Sequence, residues 1–472
     1  MATGPRHELD TLGHAVLRAL RGGPQSAAQV TRALGISQPT LSRTIQNLGN
    51  HVTRFRVSGQ RTPLYAVLRT LPQGISPRQS IHRYLSAGKI APFATVEFLA
   101  GGATLERHSG GRTTVYEGLP PYIAFAAPSG FLGRQIAQQA SRSQPFPESL
   151  KDWSDEHHIA YLFTMGLNLP GNLVFGDACL QREIDFRAAK PVATADKLVH
   201  YVEMAQALIA AAYGSSAGGE QPKFLSFTED SGHVIVKFAK RGSRMAELLP
   251  LEHLALRALA DVGVPSAPTR LLLGTDYVFL EVVRFDREGA TGRIGMLSAG
   301  SVDDEFFGMR DTWSEFAARC EREKYLSSED ARHIDTMAAF SELIGNTDRH
   351  FENLSLLIDE EGEYRGVAPA YDILPMRYAP IGGGMEPDLS PIEPRIGTVG
   401  ARPDVWARAA KAAGLFWRAA QEEDLPVPLS PAMRRLAARN LEVAREFVAP
   451  LVPDAVLQGL SAKAVKATAS AL

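Results

Sequence analysis

Asp348 and Asn353 stand five residues apart in the stretch Gly345-Asn346-Thr347-Asp348-Arg349-His350-Phe351-Glu352-Asn353, and Asp372 follows 19 residues after Asn353. These residue types suit phosphoryl transfer. A carboxylate accepts the proton of an attacking hydroxyl and orients it, while an amide oxygen and a second carboxylate are hard ligands for Mg²⁺. Asp348 then reads as the base, with Asn353 and Asp372 as metal ligands. Between them, Leu354 to Ile358 is short, apolar and strand-like, Asp359 to Glu363 has turn chemistry, and Tyr364 to Ala370 returns as a second strand. A hairpin of this kind brings Asp372 back beside Asn353. Taken singly, Asn-Thr-Asp is also an ordinary polar turn and Asp372 an ordinary cap.

Elements upstream must supply the nucleotide. A helix from Ala195 to Tyr213 runs into Gly214-Ser215-Ser216-Ala217-Gly218-Gly219-Glu220-Gln221-Pro222-Lys223, where small residues with open backbone N–H groups can follow phosphate oxygens and Lys223 adds positive charge. The stretch lacks the spacing GxxxxGK[ST], and on its own it reads equally as a flexible hinge. Strands follow at Phe224 to Phe227 and Val234 to Phe238. Lys237 lies in the second of these, either as a phosphate contact or as an edge lysine whose head reaches solvent. A helix beginning after Leu249 carries Glu252, a partner carboxylate for Lys237. Strands at Arg270 to Leu273 and Tyr277 to Val283 end in a hinge, residues 283–287, where backbone groups near Val283 and Phe285 can read an adenine edge. Trp313 to Ile344 and Pro403 to Leu460 are mostly helical.

The 472 residues carry a formal charge of −2, but residues 1–71 hold nine Arg and no Lys against Glu8 and Asp10, about +7. That asymmetry calls for an anionic partner. Three helical patterns (Leu9 to Leu20, Ser26 to Leu34, Pro39 to Leu48) with a Gly35 turn, then strands Val52 to Val57 and Leu64 to Leu68 around a wing, make a winged helix-turn-helix. Gln38, Thr40, Ser42, Arg43 and Gln46 are placed to meet base edges or phosphates of duplex DNA, and Arg54, Arg56 and Arg61 to meet phosphates or a minor groove. Residues 72–190 read as a small α+β domain without chemistry of its own. His157 and His158 are adjacent on a helix and cannot face one metal. Cys179 and Cys320 read as buried thiols, since no CxxC spacing occurs. With no apolar run of 18 residues, no membrane partner is expected, and the expected location is cytoplasmic.

Gly214 to Lys223, Val236-Lys237-Phe238, Val283-Arg284-Phe285-Asp286-Arg287, Asn346 to Asn353 and Ala368 to Leu374 together resemble the HipA family of bacterial serine/threonine kinases, the toxins of toxin–antitoxin systems. The N-terminal domain makes the chain most similar to the YjjJ (HipH) branch. The resemblance implies a multidomain α+β protein: a winged helix-turn-helix at 1–71, a HipA N-terminal-like domain at 72–190 and a two-lobed kinase-like domain at 191–472 with a helix-rich second lobe. It implies ATP and Mg²⁺ as cofactors, Asp348 as base, Asn353 and Asp372 on Mg²⁺, Lys237 and His350 among the nucleotide contacts, and Ser216, or its neighbour Ser215, as an autophosphorylation site. Family members modify aminoacyl-tRNA synthetases and usually leave DNA binding to a separate antitoxin chain, whereas here that part is expected in cis. The segment 379–389 matches nothing in the family pattern and reads as an activation or substrate loop. Two other readings fit the same residues: a transcription regulator whose kinase-like part senses nucleotide, and a lipid or small-molecule kinase.

Overall fold

The computed structural model of the chain describes residues 11–85, 87–186, 189–212, 221–381, 384–454 and 456–457. Two compact units emerge, Met1–Pro128 with Ile136–Ala189 and Ser129–Gln135 with Lys190–Leu472. Among the described residues no helix is long and apolar enough to cross a membrane.

The first unit begins with helices Thr11–Leu20, Ala27–Leu34 and Gln38–Leu48, followed by a hairpin of Val52–Phe55 and Leu64–Val67 on which Gln25–Ser26 pairs as a third strand. Local sequence sets these ends. Ser26 and Gln29 make a capping box, Gly35 at φ 64° closes the second helix, and Ser37 caps the third with Pro39 in its first turn. Val16, Leu20, Val30, Leu41, Leu48 and Val52 form the core, which leaves Gln38, Ser42, Arg43 and Gln46 on the exposed face of the third helix.

A five-stranded antiparallel sheet follows, in the order Thr113–Tyr116, Thr104–His108, Ile90–Phe98, Arg78–Tyr84, Leu173–Phe175. Its core holds Phe98, Phe163 and Phe175 in edge-to-face contacts. The hairpin and this sheet share a second core of Phe55, Ala66, Leu68, Leu99 and Leu105. Backbone bonds join them as well: Arg69 donates to the Phe98 carbonyl at 2.8 Å, Ala100 to Val67 at 2.8 Å, and Ser58 to Thr113 at 2.9 Å. A two-stranded hairpin is marginal in water, and the neighbouring sheet supplies the apolar face it lacks.

The second unit opens with helix Lys197–Ala212 and a four-stranded antiparallel sheet in the order Thr269–Leu273, Tyr277–Val283, Gly232–Lys240, Lys223–Thr228. Helix Lys197–Ala212 packs on one face through Tyr201 and Ala205, and helix Arg244–Asp261 on the other through Ala246 and Leu249. The latter helix starts six residues before Pro250, at Arg244, not after Leu249 as the sequence suggests. Ser243 is the reason: its hydroxyl accepts from the Ala246 N–H at 3.3 Å and fixes an earlier first turn. Pro250 sits inside the helix, tolerated because Leu248, Leu249, Leu251 and Leu254 are buried around it. Beyond the hinge lie a three-stranded sheet of Gly295–Ser298, Ser355–Ile358 and Tyr364–Val367 and helices Ala299–Phe306, Trp313–Arg322, Ser328–Ile344, Pro403–Glu422 and Pro431–Val448. Trp406, Phe416, Trp417 and Phe340 are fully buried there, and the Trp417 indole donates to the Leu343 carbonyl at 2.9 Å.

Leu105 is fully buried in the core shared by hairpin and sheet. Leu105→Ala should therefore cost about 2–5 kcal/mol. Urea unfolding measures the loss, and limited proteolysis should show new cutting between residues 52 and 67 before the rest of the first unit is attacked.

Candidate active site

Strand alternation decides where Lys237 points. Val234, Val236 and Phe238 face helix Lys197–Ala212, so Lys237 faces the opposite helix, where Glu252 lies. Lys237 Nζ donates to both Glu252 oxygens, at 2.6 and 2.8 Å, and also pairs with Asp372. Asp372 reaches it because Ala267 and Ala370 are clamped by backbone bonds, Ala267 N–H to the Ala370 carbonyl at 2.9 Å and Ala370 N–H to the Pro265 carbonyl at 2.8 Å. Asp372 itself takes φ 54°, a left-handed conformation sparsely used by residues with a Cβ and concentrated at functional sites. Lys223 stands directly opposite Lys237 in the strand register.

The charges in this cluster are interdependent. Burial alone would lower the Lys237 ammonium, but Asp372 and Glu252 outweigh it and hold its pKa above the ordinary lysine value. Burial would likewise raise Asp372, yet Lys237 and Lys223 keep it well below the ordinary carboxylate range. Glu252 goes up, because burial and the nearby Asp372 charge exceed what its share of Lys237 returns. One buried ammonium is thus divided between two carboxylates.

Asp348 is placed by the end of helix Ser328–Ile344. Gly345 at φ 76° closes that helix, where a Cβ would meet Ile392 Cγ2 at 3.0 Å. The buried Asn346 then accepts the Asp348 N–H at 3.0 Å, and Asn353 donates its side-chain NH₂ to the Asp348 carbonyl at 3.0 Å. The five-residue spacing is what lets Asn353 close this loop. Trp313 donates its indole N–H to the His350 carbonyl at 3.2 Å from a separate helix. The Asp348 carboxylate remains nearly half exposed.

His350 lies between the two carboxylate groups. Its Nε2 is 3.6 Å from Asp348 and its Nδ1 is 3.3 Å from Glu352. The Glu352 hydrogen bond raises its pKa above 6.5 against the opposing effect of burial, with further help from Asp348 and Asp372. Arg310, itself held bidentately by Asp304, pairs with Glu352 at 2.5 Å. His350 and Arg310 together bring Glu352 down to about 2. Glu352 lies inside the motif that sequence reading singled out, but its role depends on Arg310, for which no sequence signal exists.

Of the other expected site residues, Val283 ends its strand with its N–H given to the Pro268 carbonyl at 2.9 Å, and Arg284 gives its own to His233 at 2.9 Å. Phe285 stacks obliquely on Tyr371, 5.5 Å between centroids, and the Tyr371 hydroxyl donates to the Glu352 carbonyl at 2.8 Å. The hinge, the Asp372 loop and the Asp348 loop are therefore linked through one aromatic side chain. Ser215, Ser216, Ala217, Gly218 and Gly219 lie outside the described residues. In the other unit, Ser42, Arg43, Gln46, Arg54, Arg56, Arg61 and Gln38 are exposed and Thr40 half-buried. The sequence gives no hint of a buried network behind the sheet, where Lys197 pairs with Glu281 at 2.9 Å and with Asp230, and Tyr201 donates to Glu281 at 2.5 Å. It ties helix Lys197–Ala212 to the strand before the hinge. Cys179 and Cys320 are free, buried thiols, each pushed up to about 12 by burial.

Among the described residues no group of three or more His, Cys, Asp or Glu could hold a metal ion by itself. A magnesium site shared with a nucleotide does not need one, since protein supplies only one or two oxygens and phosphates and water the rest. Asn353 commits its nitrogen to the Asp348 carbonyl, which leaves its amide oxygen for a hard cation, and Asp372 contributes a carboxylate.

The family described as YjjJ-like toxin, middle domain, matches residues 75–184, and that described as HipA-like C-terminal domain matches residues 215–437. These matches point to the HipA-like toxin family. The chain is 31% identical over 436 residues to Toxin YjjJ of Escherichia coli (strain K12), covering 90% of this chain and 96% of that protein, and it belongs to the YjjJ branch of the HipA-like family. Among solved structures it is similar to the Shewanella oneidensis MR-1 toxin–antitoxin system of HipA, HipB and operator DNA (15% identity, 81% of this chain and 94% of that one, TM-score 0.41). It is also similar to the Helicobacter pylori proinflammatory kinase CtkA (12% identity, 52% and 96%, TM-score 0.35).

The His350–Glu352 pair requires a protonated imidazole and an ionised carboxyl. Its contribution to stability is complete between pH 4.5 and 6.5, is lost as pH falls through the Glu352 value of about 2, and is lost as pH rises through the raised His350 value. NMR titration should find the His350 midpoint above 6.5, and Glu352→Gln should bring it down toward 6.5.

Proposed function

We propose that the chain is an ATP- and Mg²⁺-dependent serine/threonine protein kinase toxin that phosphorylates its own glycine-rich loop at Ser216 and binds duplex DNA in cis through a winged helix-turn-helix at residues 1–71. The observation that carries the first part is the buried Lys237–Glu252–Asp372 cluster, with Asp348 on a separately braced loop and His350 sensing both carboxylates. A lysine held by a helix carboxylate beside a second, less buried carboxylate is the arrangement that binds nucleotide phosphates in kinases.

Lys237 and Lys223 meet the phosphates. Backbone groups of the hinge near Val283 and Phe285 read the adenine edge. Asn353 and Asp372 would hold Mg²⁺, which would neutralise charge on the phosphate oxygens. Asp348 accepts the proton of the acceptor hydroxyl, with the His350 imidazole 3.6 Å from its carboxylate. A phosphate on Ser216 would add roughly two negative charges where ATP phosphates belong and switch the enzyme off. The DNA-binding part rests on nine arginines without a lysine in residues 1–71 and on the exposed face that carries Gln38, Ser42, Arg43 and Gln46. Family membership supports an antitoxin partner and a protein substrate, an aminoacyl-tRNA synthetase being one candidate class.

Positioning and charge stabilisation supply most of the catalysis in this chemistry, so Asp348→Asn or Asp372→Asn should lower phosphorylation by about a thousandfold or more. Intact mass after ATP and Mg²⁺ should rise by one phosphate in the parent protein and not in Ser216→Ala. Near-normal turnover in a folded Asp348→Asn protein overturns the assignment.

DNA binding should fall steeply as salt rises. In the full chain, Arg43→Ala should relax sequence preference, while Arg56→Ala should weaken binding to all duplexes alike and reduce the salt slope by about one. Electrophoretic mobility shifts across a salt series separate the two effects, and absence of binding at low salt rejects this part of the proposal.

A further inference from the structure

A cavity of about 510 Å³, open on one side, adjoins Asp348 and His350 and is not lined by Lys237, Asn353 or Asp372. Of the residues assigned to nucleotide, it shares only His350. One wall is the start of helix Trp313–Arg322, with Thr312 and Trp313, and the other is Ile396 to Val399. The Thr312 and Thr398 hydroxyls join the walls at 2.7 Å.

The second wall is held by hydrogen bonds and an ion pair of its own stretch of chain. The chain leading to it is pinned on the helical lobe: Tyr378 donates to the Ser390 carbonyl at 3.0 Å, Ile392 donates to the fully buried Asn440 at 3.0 Å, Arg377 pairs with Glu393 at 2.8 Å, and the Arg395 N–H reaches Glu342 at 3.1 Å. The segment that sequence reading left as an activation or substrate loop thus continues into a fixed wall of this cavity.

Charge limits what can enter. Asp311 is neutralised by Arg319 at 2.5 Å, Glu342 by Arg349 at 2.6 Å, and His350 is shared between Asp348 and Glu352, so each charged group named in the lining already has a partner of opposite sign. What remains is a mixture of hydroxyls (Ser314, whose buried Oγ has no hydrogen-bond partner among the described residues, Thr347, and the mutually bonded Thr312 and Thr398) and apolar surface, with Ile396 exposed. Hydroxyls suit the backbone groups of an extended peptide, and a volume of this size takes several residues rather than one side chain.

We propose that this cavity is the acceptor site, and that it receives an extended peptide segment whose serine or threonine meets Asp348 and whose flanking residues are uncharged, one of them resting on Ile396. The proposal rests on the kinase reading above. A positional library of serine nonapeptides, assayed with radiolabelled ATP, tests it. The parent protein should favour uncharged residues beside the serine. Ile396→Asp should shift that preference to Lys or Arg, and Thr398→Arg, which fills the cavity, should raise KM for the preferred peptide about tenfold or more while fluorescent-nucleotide titration shows ATP still bound. An unchanged preference in Ile396→Asp together with a KM within about twofold in Thr398→Arg overturns the acceptor site alone. A parent protein that binds ATP but phosphorylates none of the peptides also overturns it, and one that binds no ATP overturns the kinase reading with it.

Discussion

A single buried ammonium holds together three pieces of chain that are far apart in sequence. Lys237 comes from a central strand, Glu252 from the helix packed on that strand, and Asp372 from a loop 135 residues away. Removing such charges from water is costly unless each is paired, so the pairing fixes the helix, the strand and the loop relative to one another. The cost of breaking it is asymmetric: loss of the lysine strands two carboxylates, whereas loss of Asp372 leaves the Lys237–Glu252 pair intact. The left-handed backbone at Asp372 and the clamp between Pro265–Ala267 and Ala370 are conditions for that contact, not independent features.

Asp348 is treated differently. It is nearly half exposed, and its loop is braced by hydrogen bonds to Asn346, Asn353 and Trp313 and by the Arg349–Glu342 ion pair. Rigid backbone with an accessible carboxylate suits a group that must meet a foreign hydroxyl, just as deep burial suits one that must keep a fixed charge pattern. Tyr371 connects the two regimes, with its ring against Phe285 and its hydroxyl on Glu352.

Much of this was legible in the sequence because it depends on short-range rules. Ser26, Gly35 and Ser37 marked the first helices, alternation marked the strand of Lys237, and Asp-x₄-Asn set the spacing that lets Asn353 hold Asp348. Glu252 could be paired with Lys237 in advance because a helix after an apolar strand tends to pack on it. What stayed hidden depends on distance in sequence or on competition between local signals. Arg310 reaches Glu352 across 42 residues from a loop without pattern, and the Lys197–Glu281 pair is built from residues with no motif around them. The helix expected after Leu249 starts earlier, at Arg244, because Ser243 caps it and the residues around Pro250 are buried. The hairpin of residues 52–67 reads as a self-contained wing, since nothing in its own sequence announces that its apolar side is covered by Leu99 and Leu105.

That shared core has a consequence for how the protein is made. A ribosome delivers the chain from its N-terminus, and the three helices can settle as soon as they emerge. The hairpin cannot, because Leu99, Leu105 and Val115, which complete its core, are still to come. The arginine-rich surface therefore acquires its finished shape only after some fifty further residues beyond Val67 have been synthesised and the neighbouring sheet has begun to pair. A nascent chain stalled before that point carries the arginines without the packed edge that presents them.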